Sequence, residues 1–153
     1  MTTPIPQLRV RALNELPPRE GDYVLYWMVA ARRPRWSFAL QRAAHHAVEL
    51  GQPLVILEAL RTGYPWASDR LHRFVLDGMR ANQRYFRDRN VIYFPSLEPE
   101  HRAGRGLLRT LSERASLVVS DDYPCFFIPK MQQAAAQKLE TRLELVDGNG
   151  LLP

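Results

Sequence analysis

The stretch from Tyr23 to Val29 reads YVLYWMV, and it decides the fold. None of its residues carries a charge, and nearly all of them are β-branched, aromatic or otherwise large. Such a short apolar run is typical of a strand that is buried on both faces of a parallel sheet. A basic turn follows at Arg32-Arg33-Pro34-Arg35, and a helical pattern follows the turn. A buried strand that leads into a helix through a polar loop is the first half of a βαβ unit.

The same alternation continues along the chain. Further strands are predicted at 53–60, 91–94, 116–120 and 142–146, with helices at about 36–50, 68–87, 107–111 and 130–139 between them. This spacing predicts parallel pairing with right-handed crossovers. We therefore expect an α/β fold, a Rossmann-like three-layer sandwich. It has a five-stranded parallel sheet in the order 3-2-1-4-5, with helices on both faces.

The chain of 153 residues is long enough for one domain. Residues 1–20 contain four prolines, which oppose helix and interior strand, so they are expected to form an N-terminal arm on the surface. We expect Ile5, Leu8 and Val10 to pack the arm down. Residues 21–147 are predicted to form the α/β domain, and residues 148–153 to begin a linker.

Charge and composition narrow the possible partners. The net charge is +5, from 21 basic and 16 acidic residues, which permits a polyanionic partner such as DNA without requiring one. No apolar run approaches the roughly 18 residues of a membrane span, and residues 1–20 lack the apolar core of a signal peptide. We expect a cytoplasmic protein with no membrane partner. Cys125 is the only cysteine, which excludes an internal disulfide.

The predicted strand order also predicts a binding crevice. The winding direction reverses between the first and fourth strands, so the crevice lies between the loop after Trp27-Met28 and the loop that starts at Ser120. Glu58, near the end of the second strand, either emerges into solvent or faces a ligand. The candidate binding residues are Trp27, Met28, Trp36, Glu58, Asp122 and Tyr123.

Aromatic rings with a few charges suit a flat, conjugated or nucleotide-like ligand. The alternative is that the aromatic side chains of the following loops pack against the sheet or against a missing partner domain; these are Tyr64, Trp66, Phe126 and Phe127. No nucleophile elbow, zinc motif, phosphate loop or dinucleotide fingerprint is present, so we assign no catalytic and no metal-binding residue. Asp121-Asp122 is a possible Mg²⁺ ligand pair, although adjacent acids after a strand more often begin a loop.

Several segments together resemble a known family. They are YVLYWM at 23–28, QPLVILEAL at 52–60, YPWASDRLHRFVLDGM at 64–79, LVVSDDYP at 117–124 and VDGNGLLP at 146–153. In this order they resemble the N-terminal α/β domain of DNA photolyases, of the class II type and its bacterial relatives. The chain departs from the class II pattern after Asp122. A Phe-Ser-Pro-Leu-Arg run is frequent there in the family, and this chain instead reads YPCFF at 123–127.

The resemblance implies that the two domains of a photolyase have different roles. Photolyases use light and a reduced FAD to split pyrimidine dimers in DNA, and the FAD and the lesion bind a helical C-terminal domain that this sequence lacks. The N-terminal domain can hold an antenna chromophore, a deazaflavin or a folate, and pass its excitation energy to the flavin. The chain is thus expected to be an antenna and scaffold domain that is not catalytic alone. The expected partners are the FAD-binding domain, DNA through the full-length protein and, for the isolated domain, further copies of itself. The alternatives are a stand-alone nucleotide-binding module or a protein-docking module of the same fold.

Overall fold

The computed structural model describes residues 5–100 and 102–150. In this part of the chain six strands alternate with four α-helices after a short 3-10 helix at Gln7–Arg9. The strands are β1 (Val10–Ala12), β2 (Tyr23–Met28), β3 (Leu54–Arg61), β4 (Ile92–Glu98), β5 (Ala115–Asp122) and β6 (Leu143–Asp147). The helices are α1 (Phe38–Glu49), α2 (Asp69–Phe86), α3 (Leu107–Ser112) and α4 (Ile128–Ala136). None of these helices is both long enough and apolar enough to cross a membrane.

The strands form one sheet in the order β1-β6-β5-β2-β3-β4. The predicted order is confirmed, because the five strands that sequence analysis found lie side by side as expected and pair in parallel. The central strand is β2, in which Trp27 is in register with Leu57 on one side and with Ser120 on the other. The apolar run at 23–29 therefore does form the buried centre of the sheet.

The predicted strand count of five is wrong, because part of the N-terminal arm joins the sheet. β1 pairs antiparallel with β6, with Val10 opposite Val146, so the sheet is mostly rather than wholly parallel. Three proline-free residues suffice for an edge strand, whereas the prolines around them would interrupt an interior one. Ile5 and Val10 pack against the core as predicted, but Leu8 is 86% exposed.

β4 is longer than the predicted strand at 91–94. Its ladder with β3 continues past Pro95, which is in register with Glu58, to Glu98. The predicted strand ends at Phe94, and the next residue, Pro95, cannot donate a hydrogen bond to a ladder. β4 is an edge strand, however. An edge strand can hold a proline where the backbone nitrogen faces away from the neighbouring strand, because no ladder hydrogen bond is made there.

Helices cover both faces of the sheet and enclose two apolar layers. Tyr26, Met28 and Ile56 lie in the layer that α1 and α2 cover, and Leu25 and Leu57 lie in the layer on the side of α3 and α4. The first helix begins two residues later than predicted. Ser37 forms its N-cap, with the hydroxyl oxygen accepting a hydrogen bond from the Leu40 N–H at 3.2 Å.

A buried acid connects β6 to α1. The Glu144 carboxylate is 2% exposed and lies 3.0 Å from Arg42 Nε and 3.0 Å from His46 Nε2, while Arg142 Nε donates to it at 2.9 Å. Burial alone would raise the pKa of Glu144, but the hydrogen bonds from His46 and Arg42 outweigh it and lower the pKa to about 2. Glu144 is therefore an ionised group that holds the sheet to its covering helix.

Candidate functional site

An open groove of about 450 Å³ lies beside residues 34–41 and Tyr85, but no strand lines it. Of the two cavities at the carboxyl ends of the strands, the larger has a volume of about 360 Å³. The ends of β2 and β3 form its floor, and parts of α2, α3 and α4 with the loop after β3 form its walls. Its lining is mostly apolar and includes Trp27, Met28, Val29, Leu57, Ala59, Leu60, Tyr64, Val75, Leu107, Leu108, Phe127, Ile128 and Met131. Of the predicted binding residues, Trp27 and Met28 line this cavity.

Arg32 brings a positive charge to the cavity wall. Its Nε donates to Glu58 Oε1 at 2.9 Å, and its Nη1 donates to the Ala59 carbonyl oxygen at 3.0 Å. Its Nη2 is buried without a hydrogen-bond partner in the described residues. The guanidinium is thus fixed in place with one donor group uncommitted. Ser96, Arg61 and Glu98 add polar groups to the same lining.

Glu58 lies behind the cavity wall, so the structure places it neither in solvent nor facing a ligand. The side chain is 1% exposed, and its carboxylate accepts hydrogen bonds from Arg32, from Asn82 Nδ2 at 2.8 Å and from the Tyr93 hydroxyl at 2.5 Å. Burial and the hydrogen bond to Glu58 raise the pKa of Tyr93 far above its ordinary value, so its hydroxyl stays protonated as a donor. Glu58 therefore orients Arg32 rather than contacting the cavity itself.

A smaller cavity of about 170 Å³ occupies the predicted crevice between the β2–α1 loop and the end of β5. Trp36, Asp122 and Tyr123 are among its lining residues, so the six candidates divide between two cavities and the interior. The Asp122 carboxylate is already paired, with Oδ2 at 2.7 Å from Arg11 Nε and Oδ1 at 3.1 Å from Nη2. Trp36 is 88% exposed. The sequence located this crevice correctly but did not predict the larger cavity.

Asp121 is engaged entirely within the protein. Its Oδ2 accepts hydrogen bonds from the N–H groups of Val29, Ala30 and Ala31 at 2.9–3.1 Å, and its Oδ1 accepts one from the Tyr26 hydroxyl at 2.8 Å. Burial and the Asp121 charge raise the pKa of Tyr26 well above its ordinary value, so Tyr26 remains a donor. A Mg²⁺ role for the Asp121-Asp122 pair has little support, since one carboxylate holds the β2–α1 loop and the other holds β1. Among the described residues no three His, Cys, Asp or Glu side chains come together as metal ligands.

Aromatic side chains stand out from the loops at the carboxyl edge. Trp36, Trp66 and Phe126 are 85–91% exposed, and each has a positive φ between 56° and 69°. Non-glycine residues rarely adopt this left-handed conformation, so the loops hold these rings outward at some cost in backbone strain. Trp66 and Phe126 therefore do not pack on the sheet, which was one of the alternatives for these side chains, whereas Tyr64 and Phe127 line the larger cavity.

Sequence reasoning missed the residues that helices contribute to the larger cavity. Val75 comes from α2, Leu107 and Leu108 from the start of α3, and Met131 from α4. Their apolar spacing predicts helices, but it does not show that these side chains border a cavity. The sequence does not show that α3 is only six residues long, or that it leaves a gap beside the ends of β2 and β3.

Comparison with known proteins agrees with the fold and with part of the family prediction. The chain is 31% identical over 146 residues to the deoxyribodipyrimidine photo-lyase of Methanothermobacter thermautotrophicus. The match covers 95% of this chain but 32% of the archaeal protein, so the chain spans about a third of that relative's length. No family model matches the chain.

Solved structures of universal stress proteins from Archaeoglobus fulgidus share the fold. One matches with a TM-score of 0.53 at 14% identity, covering 81% of this chain and 98% of the stress protein. Another, in complex with dAMP, matches with a TM-score of 0.54 at 13% identity over 81% of this chain and 97% of its own. At this level of identity the similarity establishes a Rossmann-like α/β fold and nothing about ligands.

Proposed function

We propose that this chain acts as the antenna-chromophore-binding and scaffold domain of a photolyase-type DNA repair protein. The observation that carries the proposal is the 31% identity to a photolyase across 95% of the chain. On this proposal the flavin, the light-driven cleavage and the main DNA contacts belong to a further helical domain. This chain performs no bond-breaking step, because energy transfer through space requires only that a chromophore be held in a fixed position.

The larger cavity is the better candidate for the chromophore. Its volume of about 360 Å³ falls within the range of ligand pockets, which begins at roughly 300 Å³, whereas the crevice between the β2–α1 loop and the end of β5 is about half as large. The open groove at residues 34–41 is larger, at about 450 Å³, but no strand end lines it. Apolar walls on both sides suit a flat conjugated ring system, and Trp27 offers an aromatic surface. Arg32 offers a positive charge to a carbonyl or phenolate oxygen on the ring.

The scaffold role has support in the exposed rings at the carboxyl edge. An exposed apolar patch on a domain is typical of a contact with another domain or protein. Trp66 and Phe126 are 91% and 85% exposed, and the curated relative extends well beyond the part that this chain matches. We propose that these rings contact the FAD-binding domain, and that DNA is reached mainly through that domain.

An absorption titration tests the proposal. The purified chain is titrated with a deazaflavin, reduced folate and ATP, together with the variants Ala59→Phe, which fills the larger cavity, and Trp36→Ala, which leaves the lining of that cavity unchanged. We expect deazaflavin or folate to bind, Ala59→Phe to abolish binding, and Trp36→Ala to leave it within about two-fold. Binding of ATP with no binding of either chromophore would overturn the proposal.

The second candidate function is a stand-alone nucleotide-binding module. The observation behind this candidate is that the fold is shared with a universal stress protein that was solved in complex with dAMP. Against it, the N–H groups of residues 29–31 in the loop after β2 already donate to Asp121. A phosphate group at that loop would have to displace a buried carboxylate. The same titration separates the two functions, since a nucleotide-binding module would bind ATP.

A further inference from the structure

A ridge of arginines runs along the solvent side of α2. Arg70, Arg73, Arg80, Arg84 and Arg87 are all exposed, and at 3.6 residues per turn they fall within about 100° of the helix circumference. At 1.5 Å per residue the ridge is about 25 Å long. The opposite side of the helix packs on the sheet through Met79, Asn82 and Phe86. The positive charges are therefore presented together on a rigid, anchored surface.

Three acids interrupt or border this arginine ridge: Asp77 in its middle, Asp69 before Arg70 and Asp88 after Arg87. Asp77 lies between Arg73 and Arg80, with 3.5 Å from its Oδ2 to Arg73 Nε and 3.2 Å from its Oδ1 to Arg80 Nη1. The guanidinium groups of Arg70, Arg84 and Arg87 form no ion pair with any residue that the structure describes. Exposed ion pairs such as those of Asp77 contribute little energy and are easily exchanged for other partners.

We propose that the arginine ridge of α2 is a second, sequence-independent contact with the sugar–phosphate backbone of duplex nucleic acid. Guanidinium groups bind phosphate oxygens in a bidentate manner, which makes arginine the residue typical of phosphate recognition. A duplex carries one phosphate charge per roughly 1.7 Å of axis, so a linear ridge of five arginines faces several phosphates at once. The ridge covers the outside of α2, away from the chromophore cavity, and needs no ligand there.

The main competing partner is an anionic membrane surface. Leu71 and Phe74 lie beside the N-terminal part of the ridge and are 46% and 78% exposed, and apolar groups next to cations also suit a lipid interface. The observations favour nucleic acid, because the apolar flank is confined to the start of the helix while the arginines continue to its end. Binding to lipid vesicles is a separate outcome of the test below.

The test measures binding of the full 153-residue chain to a fluorescent duplex of about 20 base pairs over a range of salt concentrations. Each phosphate contact contributes about −0.9 to the slope of log K against log salt. We expect the triple variant Arg70→Gln, Arg84→Gln, Arg87→Gln to reduce the magnitude of that slope by about 2 to 3. The matched control carries Arg105→Gln, Arg109→Gln and Arg114→Gln, which removes the same charge from exposed residues near α3 on the opposite face.

A variant that is expected to bind more tightly excludes misfolding as the cause of the change in affinity, because a misfolded protein would bind less tightly. Asp77→Asn removes the one acid that lies between the first and last arginines of the ridge, so we expect it to tighten duplex binding about two- to five-fold at low salt. Equal losses in the ridge and control triples would overturn the proposal, as would unchanged or weaker binding by Asp77→Asn. Binding to phosphatidylserine vesicles without binding to duplex would overturn it in favour of a membrane contact. Failure of the chromophore titration would leave this result unaffected, because no ridge residue lines the larger cavity.

Discussion

Asp121 carries a negative charge at the place where many α/β proteins of this topology bind the negative charge of a ligand. Three consecutive backbone N–H groups after the central strand donate to its Oδ2, at 2.9, 2.9 and 3.1 Å. The loop is thus closed by a side chain of the chain itself. Asp121 therefore makes this loop unfavourable for phosphate-containing ligands and favours ligands that are held by apolar contact.

We predict that Asp121→Ala lowers the free energy of unfolding by about 3 kcal/mol or more, because one buried and three half-buried donors lose their acceptor. The neighbouring substitution Asp122→Ala removes an ion pair with Arg11, whose side chain is 54% exposed, and should cost less than about 1 kcal/mol. Urea unfolding monitored by circular dichroism measures both values. Equal costs for the two neighbours would contradict the role given to Asp121.

At the scale of the elements, two glycines differ in whether the surrounding atoms leave room for a side chain. A Cβ on Gly21, just before β2, would lie 2.6 Å from the Ser116 backbone nitrogen and 2.8 Å from the Arg114 carbonyl oxygen. A Cβ on Gly78, in the exposed part of α2, would meet no atom within 4 Å. The first glycine is required by the close approach of the chain before β2 to that before β5, whereas the second weakens a helix without a packing reason.

We therefore predict changes of opposite sign for the same substitution. Gly21→Ala should destabilise the protein by about 1 to 3 kcal/mol, because backbone atoms rather than a flexible side chain must move. Gly78→Ala should stabilise it by about 0.5 to 1 kcal/mol through helix propensity. Thermal unfolding followed by circular dichroism gives both signs. A stabilised Gly21→Ala variant would show that the two segments do not approach as closely as described.

The elements also show how far the sequence determines the structure. Apolar runs predicted β2, β3 and β5 and their order, since a strand buried on both faces leaves an unmistakable pattern. The pattern fails at the edges, where β1 is three residues long and β4 continues through Pro95. Tertiary pairing decides these strands, and no local signal reports it. The cavities follow the same rule. Strand ends predicted Trp27 and Met28 beside a crevice next to β5, but the two residues line the larger cavity, whose α3 and α4 walls depend on packing.

At the scale of the whole molecule, charge and exposed apolar surface determine behaviour in solution. The Glu144 cluster fixes β6 to α1 with an ionised carboxylate whose pKa is lowered to about 2 from the usual 4.5. Because the folded pKa is the lower one, the cluster stabilises the fold fully above pH 4.5. That contribution disappears as the pH falls toward 2.

We predict that Glu144→Gln lowers the free energy of unfolding at neutral pH by about 1 to 3 kcal/mol. It should also flatten the decline in stability between about pH 4.5 and pH 2. Urea unfolding across this pH range makes the measurement, with Glu113→Gln as a control, since Glu113 is 58% exposed and its nearest cation is 3.8 Å away. An unchanged pH profile in Glu144→Gln would contradict the assignment.

The outward aromatic rings predict self-association of the isolated chain. Exposed apolar patches favour contacts between copies when the usual partner is absent. We expect light scattering at high protein concentration to show species larger than the monomer, and the double variant Trp66→Ser, Phe126→Ser to reduce them. A wild-type chain that stays strictly monomeric would count against an exposed docking surface.

Pro95 has a consequence that extends beyond the single molecule. It lies near the middle of β4, the outermost strand on that side of the sheet, where Ile92, Phe94 and Leu97 are 41–54% exposed. Such a strand would otherwise act as a template on which further chains add in register and grow into ordered aggregates. A residue without an amide hydrogen interrupts that template at its centre. The protein can thus expose apolar aromatic rings at the carboxyl edge for a specific partner, while Pro95 prevents further chains from adding to β4 without limit.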